Sequence, residues 1–292
     1  MPISGRIDLH MHSTVSDGTD SPLQLLSRVS GAGYSLFSLT DHDATKGCVE
    51  IIDALEPGSP SFITGVEISC RDAEGKYHIL GYGYDPDAET INRLVGRAHL
   101  IRFEKLQLRI DRLKEMFGFV FPKEEVDALY KLDNPGKPHI GDLMVRHGYA
   151  KSIGDAIKDY INKLGVRSEN IAPQTAIDMI TASGGIPVLA HPFFGDGDQL
   201  IIGEEMEQRL ARLKDMGIRG VEAFYSGFAP RMIANMLEMA DRYGLYVTAG
   251  SDYHGSIKLV RLGDTNLEDV ADAPDGLKKF LSDIADRTFS VV

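Results

Sequence analysis

Nine side chains able to ligate a divalent cation stand out in the sequence: His10, His12, Asp17, His42, Glu67, His78, His191, Asp252 and His254. Six of the nine histidines of the chain are in this set. Mixed imidazole and carboxylate donors suit Zn, Mn or Fe better than Ca, and nine donors exceed the three or four that one ion usually takes. More than one ion is therefore expected. Two or three ions a few ångströms apart could activate water, hold phosphoryl oxygens and stabilise a leaving oxygen during hydrolysis. No G-x-S-x-G elbow singles out a serine nucleophile, and neither a P-loop nor a dinucleotide fingerprint is present.

These donors must be brought together by their elements. In the stretch RIDLHMHSTVSDGTD, a strand over residues 7–9 delivers His10 and His12 to one face, and Asp17 follows in a polar loop. Ser21-Pro22 opens a helix. A strand over 35–39 ends in Thr40-Asp41-His42-Asp43, residues 48–55 read as helix, and strands over 61–69 and 77–84 carry Glu67 and His78. Further on, strands over 186–190, 220–224 and 245–249 alternate with helices over 173–182, 204–216 and 230–243. The first of these strands leads into His191, the last into Asp252 and His254. From residue 276 one more helix and a short terminal strand are expected. The alternation predicts an α/β fold with a largely parallel sheet or barrel, whose strand ends converge on an active site. Residues 88–170 show only helical spacing, so a helical insertion is expected there, with the barrel formed by 1–87 and 171–292.

The 292 residues carry a formal net charge of −12, which argues against a broad grip on long nucleic acid. Carboxylates gathered around cations are compensated once the ions are bound, so a small anionic substrate remains compatible. The helix opening the insertion is locally basic (Arg93, Arg97, Arg102, Lys105, Arg109, Arg112, Lys114), and Asn134-Pro135-Gly136-Lys137-Pro138 leads into His139. Such a row is usually a solvated face, but it keeps a substrate role open. No apolar run spans a membrane, and the N-terminus lacks a secretory signal pattern, so a cytoplasmic location is expected. Cys48 and Cys70 read as two thiols, buried or inert.

In order, DLHMHS, the Asp17 loop, LTDHD, GVEIS, the His78 strand, AHP, GVEAF and SDYH resemble the motifs of the polymerase and histidinol phosphatase (PHP) family, over residues 1–85 and about 173–256. The resemblance implies a distorted (β/α)7 barrel related to the amidohydrolases, with a trinuclear site. It would place one ion on His10, His12, Glu67 and Asp252, a second on Glu67, His78 and His191, and a third on Asp17, His42 and His254. Mn is the favoured metal, with Zn and Fe as alternatives, and the implied reaction is attack on phosphorus by a metal-bridging hydroxide. Asp252, His191 and His254 are the residues implied in the chemistry, with His254, His191 or water protonating the leaving oxygen. Asp41 and Asp43 would orient imidazoles or cap their loop.

The insertion resembles that of short PHP proteins acting on nucleotides. This implies a small phosphorylated nucleotide substrate, a nucleoside 3′,5′-bisphosphate losing its 3′-phosphate, with Arg102, Arg109, Lys137 and His139 as substrate contacts. Tyr225, Phe193, Phe194 and Phe228 would stack on a base or simply pack. The alternatives are the same chemistry on histidinol phosphate or on the 5′ end of a short oligonucleotide, C–N hydrolysis of the amidohydrolase type, and a metal-binding module without turnover.

Overall fold

The computed structural model describes residues 5–195 and 199–291. Seven strands form one sheet in chain order: β1 (Arg6–Asp8), β2 (Tyr34–Leu39), β3 (Ser61–Asp72), β4 (Gly75–Tyr82), β5 (Ile186–Leu189), β6 (Gly220–Tyr225) and β7 (Tyr246–Gly250). The edges meet: Leu9 donates to the Ala249 carbonyl at 3.0 Å, His12 to the Tyr253 carbonyl at 2.8 Å, and Met11 bridges Tyr253. The sheet is mixed rather than wholly parallel. β4 runs antiparallel to both neighbours, because a tight turn pairs Asp72 with Gly75 and leaves no room for a crossover helix.

Helices cover the outside. α1 (Pro22–Gly31) starts as its sequence predicts, with Ser21 accepting from the Gln24 amide and Gln24 returning the bond. α2 (Lys46–Asp53) follows β2, α3 (Glu89–Phe117) follows β4, and four helices of the second half pack on or near the barrel: α7 (Pro173–Ala182), α8 (Gly203–Asp215), α9 (Pro230–Tyr243) and α10 (Asp275–Asp283). Strands buried on both faces, such as β5 with all four residues buried, need no alternation of polarity. The terminal strand expected after α10 is reduced to one bridge, in which Phe289 exchanges two backbone bonds with Phe62.

α3 belongs to two cores. Ile91, Leu94, Ala98 and Ile101 pack with the barrel, whereas Leu106 and Leu113 join Phe121, Leu129, Ile140, Leu143 and Met144 in a separate cluster. That cluster is completed by α4 (Lys123–Leu129), α5 (Lys137–Arg146) and, after the short turn α6 (Ile153–Asp155), Ala156, Ile161 and Leu164. Among the described residues no helix is long and apolar enough to cross a membrane. Both cysteines are buried and unpaired, and burial pushes the Cys48 thiol up to about 12.

Candidate metal centre

Glu67 is the hub. It lies on β3, 1% exposed, and its two oxygens face different neighbours. Oε1 is 2.8 Å from His78 Nδ1 and 3.0 Å from His191 Nε2, and Oε2 is 2.9 Å from His42 Nδ1, 3.3 Å from His12 Nε2 and 3.5 Å from His10 Nε2. Asp252 Oδ1 lies 3.3 Å from His12 Nε2 and 3.5 Å from His10 Nε2. Asp17 Oδ1 is 3.4 Å from His254 Nε2, and Asp17 Oδ2 is 3.9 Å from His42 Nε2. All nine sequence candidates thus converge on one end of the barrel. His78 reaches it from the middle of β4, which runs opposite to its neighbours.

The sequence reading missed several residues that fix these side chains. Glu222 on β6, fully buried, accepts from His10 Nδ1 at 2.8 Å and from the His191 amide at 2.8 Å. This selects the His10 tautomer that leaves Nε2 free to ligate. Its signal was a lone carboxylate inside the otherwise apolar strand GVEAFY. Asp8, also buried, accepts from the Ser251 amide and hydroxyl and the Gly263 amide, tying β1 to the loop after β7. Asp41, which the sequence already offered as a loop cap or a support for imidazoles, takes Ser13 N at 2.8 Å and Ser16 Oγ at 2.6 Å, and Ser16 Oγ is 3.4 Å from His12 Nδ1. His254 Nδ1 donates to the Asp252 carbonyl at 2.9 Å, turning Nε2 toward Asp17.

Asp43, His191 and Asp252 have positive φ of 53°, 27° and 57°. Three of the four non-glycine residues described in this region therefore sit at the site, where local strain of ~1–3 kcal/mol each is held by the surrounding structure. Gly250 is needed for close approach. A Cβ there would lie 2.2 Å from His10 Cβ and 2.6 Å from Glu222 Oε1.

The donors fit divalent cations. His10 Nε2, His12 Nε2 and His42 Nδ1 are buried and, although 3.5, 3.3 and 2.9 Å from Glu67 Oε2, meet no partner in hydrogen-bonding geometry, an arrangement that costs ~1–3 kcal/mol per group unless something else satisfies it. Burial opposes charge on His12, yet Asp252 and Glu67 drive its pKa up to about 9. Glu67, Asp17 and Asp252 are held well below the usual carboxylate range by the surrounding imidazoles, and for Asp252 also by Lys258, against the effect of burial. Three overlapping groups have ligand atoms within 4.8 Å of one another: His12, Asp17, His42 and His254; His10, His12 and Glu67; and His42, Glu67 and His78.

The PHP domain family model matches residues 8–168. The chain belongs to the PHP family. A 3′,5′-nucleoside bisphosphate phosphatase from Chromobacterium violaceum is 30% identical over 85% of this chain and 87% of its own length. A phosphoribosyl 1,2-cyclic phosphate 1,2-diphosphodiesterase from Eggerthella lenta is 29% identical over 85% and 94%, and a 5′-3′ exoribonuclease from Haemophilus influenzae 29% over 88% and 93%. Among solved structures, a protein from Bifidobacterium adolescentis classed as a metal-dependent phosphoesterase superposes with a TM-score of 0.81 at 28% identity, covering 98% of this chain and 96% of that one. This PHP protein is accordingly a metal-dependent phosphoesterase.

Helix α3 lines the PHP site on the Asp17 and His42 side. Arg93, Arg97, Arg112 and Lys114 face solvent, whereas Arg102, Lys105 and Arg109 form a half-buried inner row. Arg102 pairs with Asp43. Arg109 has no hydrogen bond or ion pair among the described residues, and burial with the Arg102 charge lowers its pKa to about 10. His139 Nδ1 accepts from the Gly136 amide at 2.9 Å, and burial lowers its pKa although Asp17 opposes the shift. Lys137 Nζ lies 2.5 Å from Asn162 Oδ1. The Asn134 amide donates to the His42 carbonyl, joining this region to the centre. Of the aromatic candidates, Phe193 and Phe228 are buried packing residues, while Phe194 and Tyr225 line the cavity on the His78 and His191 side.

Proposed function

We propose that this PHP enzyme removes the 3′-phosphate of nucleoside 3′,5′-bisphosphates, converting adenosine 3′,5′-bisphosphate to AMP and phosphate. The observation that carries the reading is the row Arg102, Lys105 and Arg109, in which only Arg102 is ion-paired, with Asp43; Lys105 Nζ bonds the Asn170 amide oxygen at 2.8 Å, and Arg109 has no carboxylate partner among the described residues. Cations withdrawn from water without enough anions favour a ligand that brings its own negative charge. One phosphate at the ions and a second at this row is the charge pattern of a bisphosphate, and the Chromobacterium relative's name agrees with it.

In this reading His10, His12, Glu67 and Asp252 hold one ion, Glu67, His78 and His191 a second, and Asp17, His42 and His254 a third, with Mn preferred. Bound ions would supply Lewis acidity, lowering the pKa of a coordinated water toward ~7 and offsetting phosphoryl charge. The chain's own residues do the rest. Arg102, Arg109, Lys137 and His139, with Lys105, bind the 5′-phosphate and base. Asp252 keeps its ligand oxygen aimed at His10 and His12. His191, the most exposed of the six imidazoles at 16%, borders the leaving oxygen, with His254 as the second assignment. Residues 88–170 act as the cover of a barrel built from 1–87 and 171–292. Two buried free thiols suit work in the cytoplasm.

The test is phosphate release by Mn-reconstituted protein, beside a His12→Ala control. The panel is adenosine 3′,5′-bisphosphate, AMP, histidinol phosphate, a ribose cyclic phosphate and a short 5′-phosphorylated RNA. Preferred turnover of the bisphosphate, with AMP as product, is expected. Preferred turnover of any other substrate would overturn the assignment while leaving the family chemistry intact.

A further inference from the structure

Asp252 divides its carboxylate between two tasks. Oδ1 faces His10, His12 and His254, while Oδ2 takes a hydrogen bond from Tyr225 at 2.8 Å and one from Lys258 Nζ at 2.6 Å. One donor is enough to fix Oδ2. The Tyr225 hydroxyl, on a ring packed 4.9 Å from Phe228 and 5.6 Å from His191, is the rigid one. Lys258 follows the short turn Gly255–Ile257 on the loop after β7, and its side chain is 40% exposed. It lines a cavity of about 240 Å³ together with His78, His191, Phe194, Tyr225 and Asp252.

An ammonium has three donors, and Asp252 takes one. We infer that Lys258 is a substrate contact: its ammonium binds a non-bridging oxygen of the phosphoryl group undergoing hydrolysis, while Tyr225 alone holds Asp252 in place. The position is opposite in kind to the α3 row, which lies by Asp17 and His42. Lys258 borders His78 and His191, so the two anionic ends of a bisphosphate would each meet their own cations. This assignment rests on the phosphate-ester reading given above.

The experiment is calorimetric binding of inorganic phosphate to Mn-loaded wild type, Lys258→Met, Lys258→Arg and Tyr225→Phe proteins, with metal content measured on each sample. Lys258→Met is expected to weaken phosphate binding by about tenfold or more at unchanged metal content, the loss expected for one charged hydrogen bond. Lys258→Arg should stay within about threefold of wild type, and Tyr225→Phe should lower metal retention at low Mn more than it lowers phosphate affinity at saturating Mn. Unchanged phosphate affinity in Lys258→Met would overturn the inference. So would a loss that merely follows loss of metal, since Lys258 would then only position Asp252. Phosphate binding does not depend on which ester is cleaved: an inactive bisphosphate with a weakened Lys258→Met sinks the substrate and keeps the contact, and the reverse pattern does the opposite.

Discussion

Glu222 joins two candidate ligands from different strands: one oxygen lies 2.8 Å from His10 Nδ1 and the other accepts the His191 amide at 2.8 Å. It touches no ion-facing atom of its own in the cluster, yet it sets which nitrogen of His10 is available. Glu222→Gln is expected to weaken metal affinity by about 10–100-fold, with most activity restored by excess Mn. A Mn titration of activity checks this, and an unshifted half-saturation point would contradict it.

Gly250→Ala tests the same contact from the backbone side. The added methyl would lie 2.2 Å from His10 Cβ. Large loss of bound metal together with a lower Tm is expected, measured by elemental analysis and calorimetric melts of the purified protein.

Arg109→Met should raise KM for a 3′,5′-bisphosphate by about tenfold or more while changing kcat little, because the lost charge lies on the binding side of the reaction. Steady-state kinetics with AMP-forming and single-phosphate substrates separates the two. An equal effect on both substrate types would show that Arg109 does not read the second phosphate.

Lys105 gives a pH signature. Burial, then the Arg109 charge, lowers its pKa to about 8. The free enzyme therefore loses this charge as pH rises through about 8, so KM for the bisphosphate should climb from about pH 7.5 to 9, and Lys105→Arg should flatten that rise. The sign for stability is opposite. The native state gives up the proton before the unfolded chain, whose lysines titrate near ~10.4, so this group favours folding progressively more between about pH 8 and 10.4.

Metal removal should cost stability as well as activity. An ion at about 100-fold over its Kd contributes ~2.7 kcal/mol to the folded state, or about 4–5 °C in Tm for a chain of this size. Calorimetric melts before and after chelation check it, and coincident melts would mean that the nine donors hold no ion under those conditions.

The sequence made the donors legible because each is a histidine or carboxylate within or shortly after an apolar strand. The same rule could not show the direction of β4: its apolar run reads alike in either orientation, and the two-residue turn after Asp72 decides it. Glu222 escaped notice because a carboxylate inside a strand looks like a solvent-facing residue until its neighbours are seen to be buried on both sides. The inner and outer faces of α3 were likewise merged, since seven basic residues in one helix do not announce which three turn inward. Tyr225 and Lys258 meet Asp252 from β6 and from the loop beyond β7, a meeting that residue spacing does not show, and closure of β1 on β7 brings His10 to the same carboxylate.

That closure has a consequence for how the protein is made. Leu9 bonds Ala249, and His10 and Asp252 face the same space although nearly the whole chain separates them. A nascent chain therefore carries the β3–β4 hairpin, with Glu67 and His78, long before it has anything to close against. The first strand must wait, one edge open, until β7 has left the ribosome. Capture of cations by the full donor set would then wait for β7 and the loop after it, and a chain cut short before β7 would lack the seam and the full donor set together.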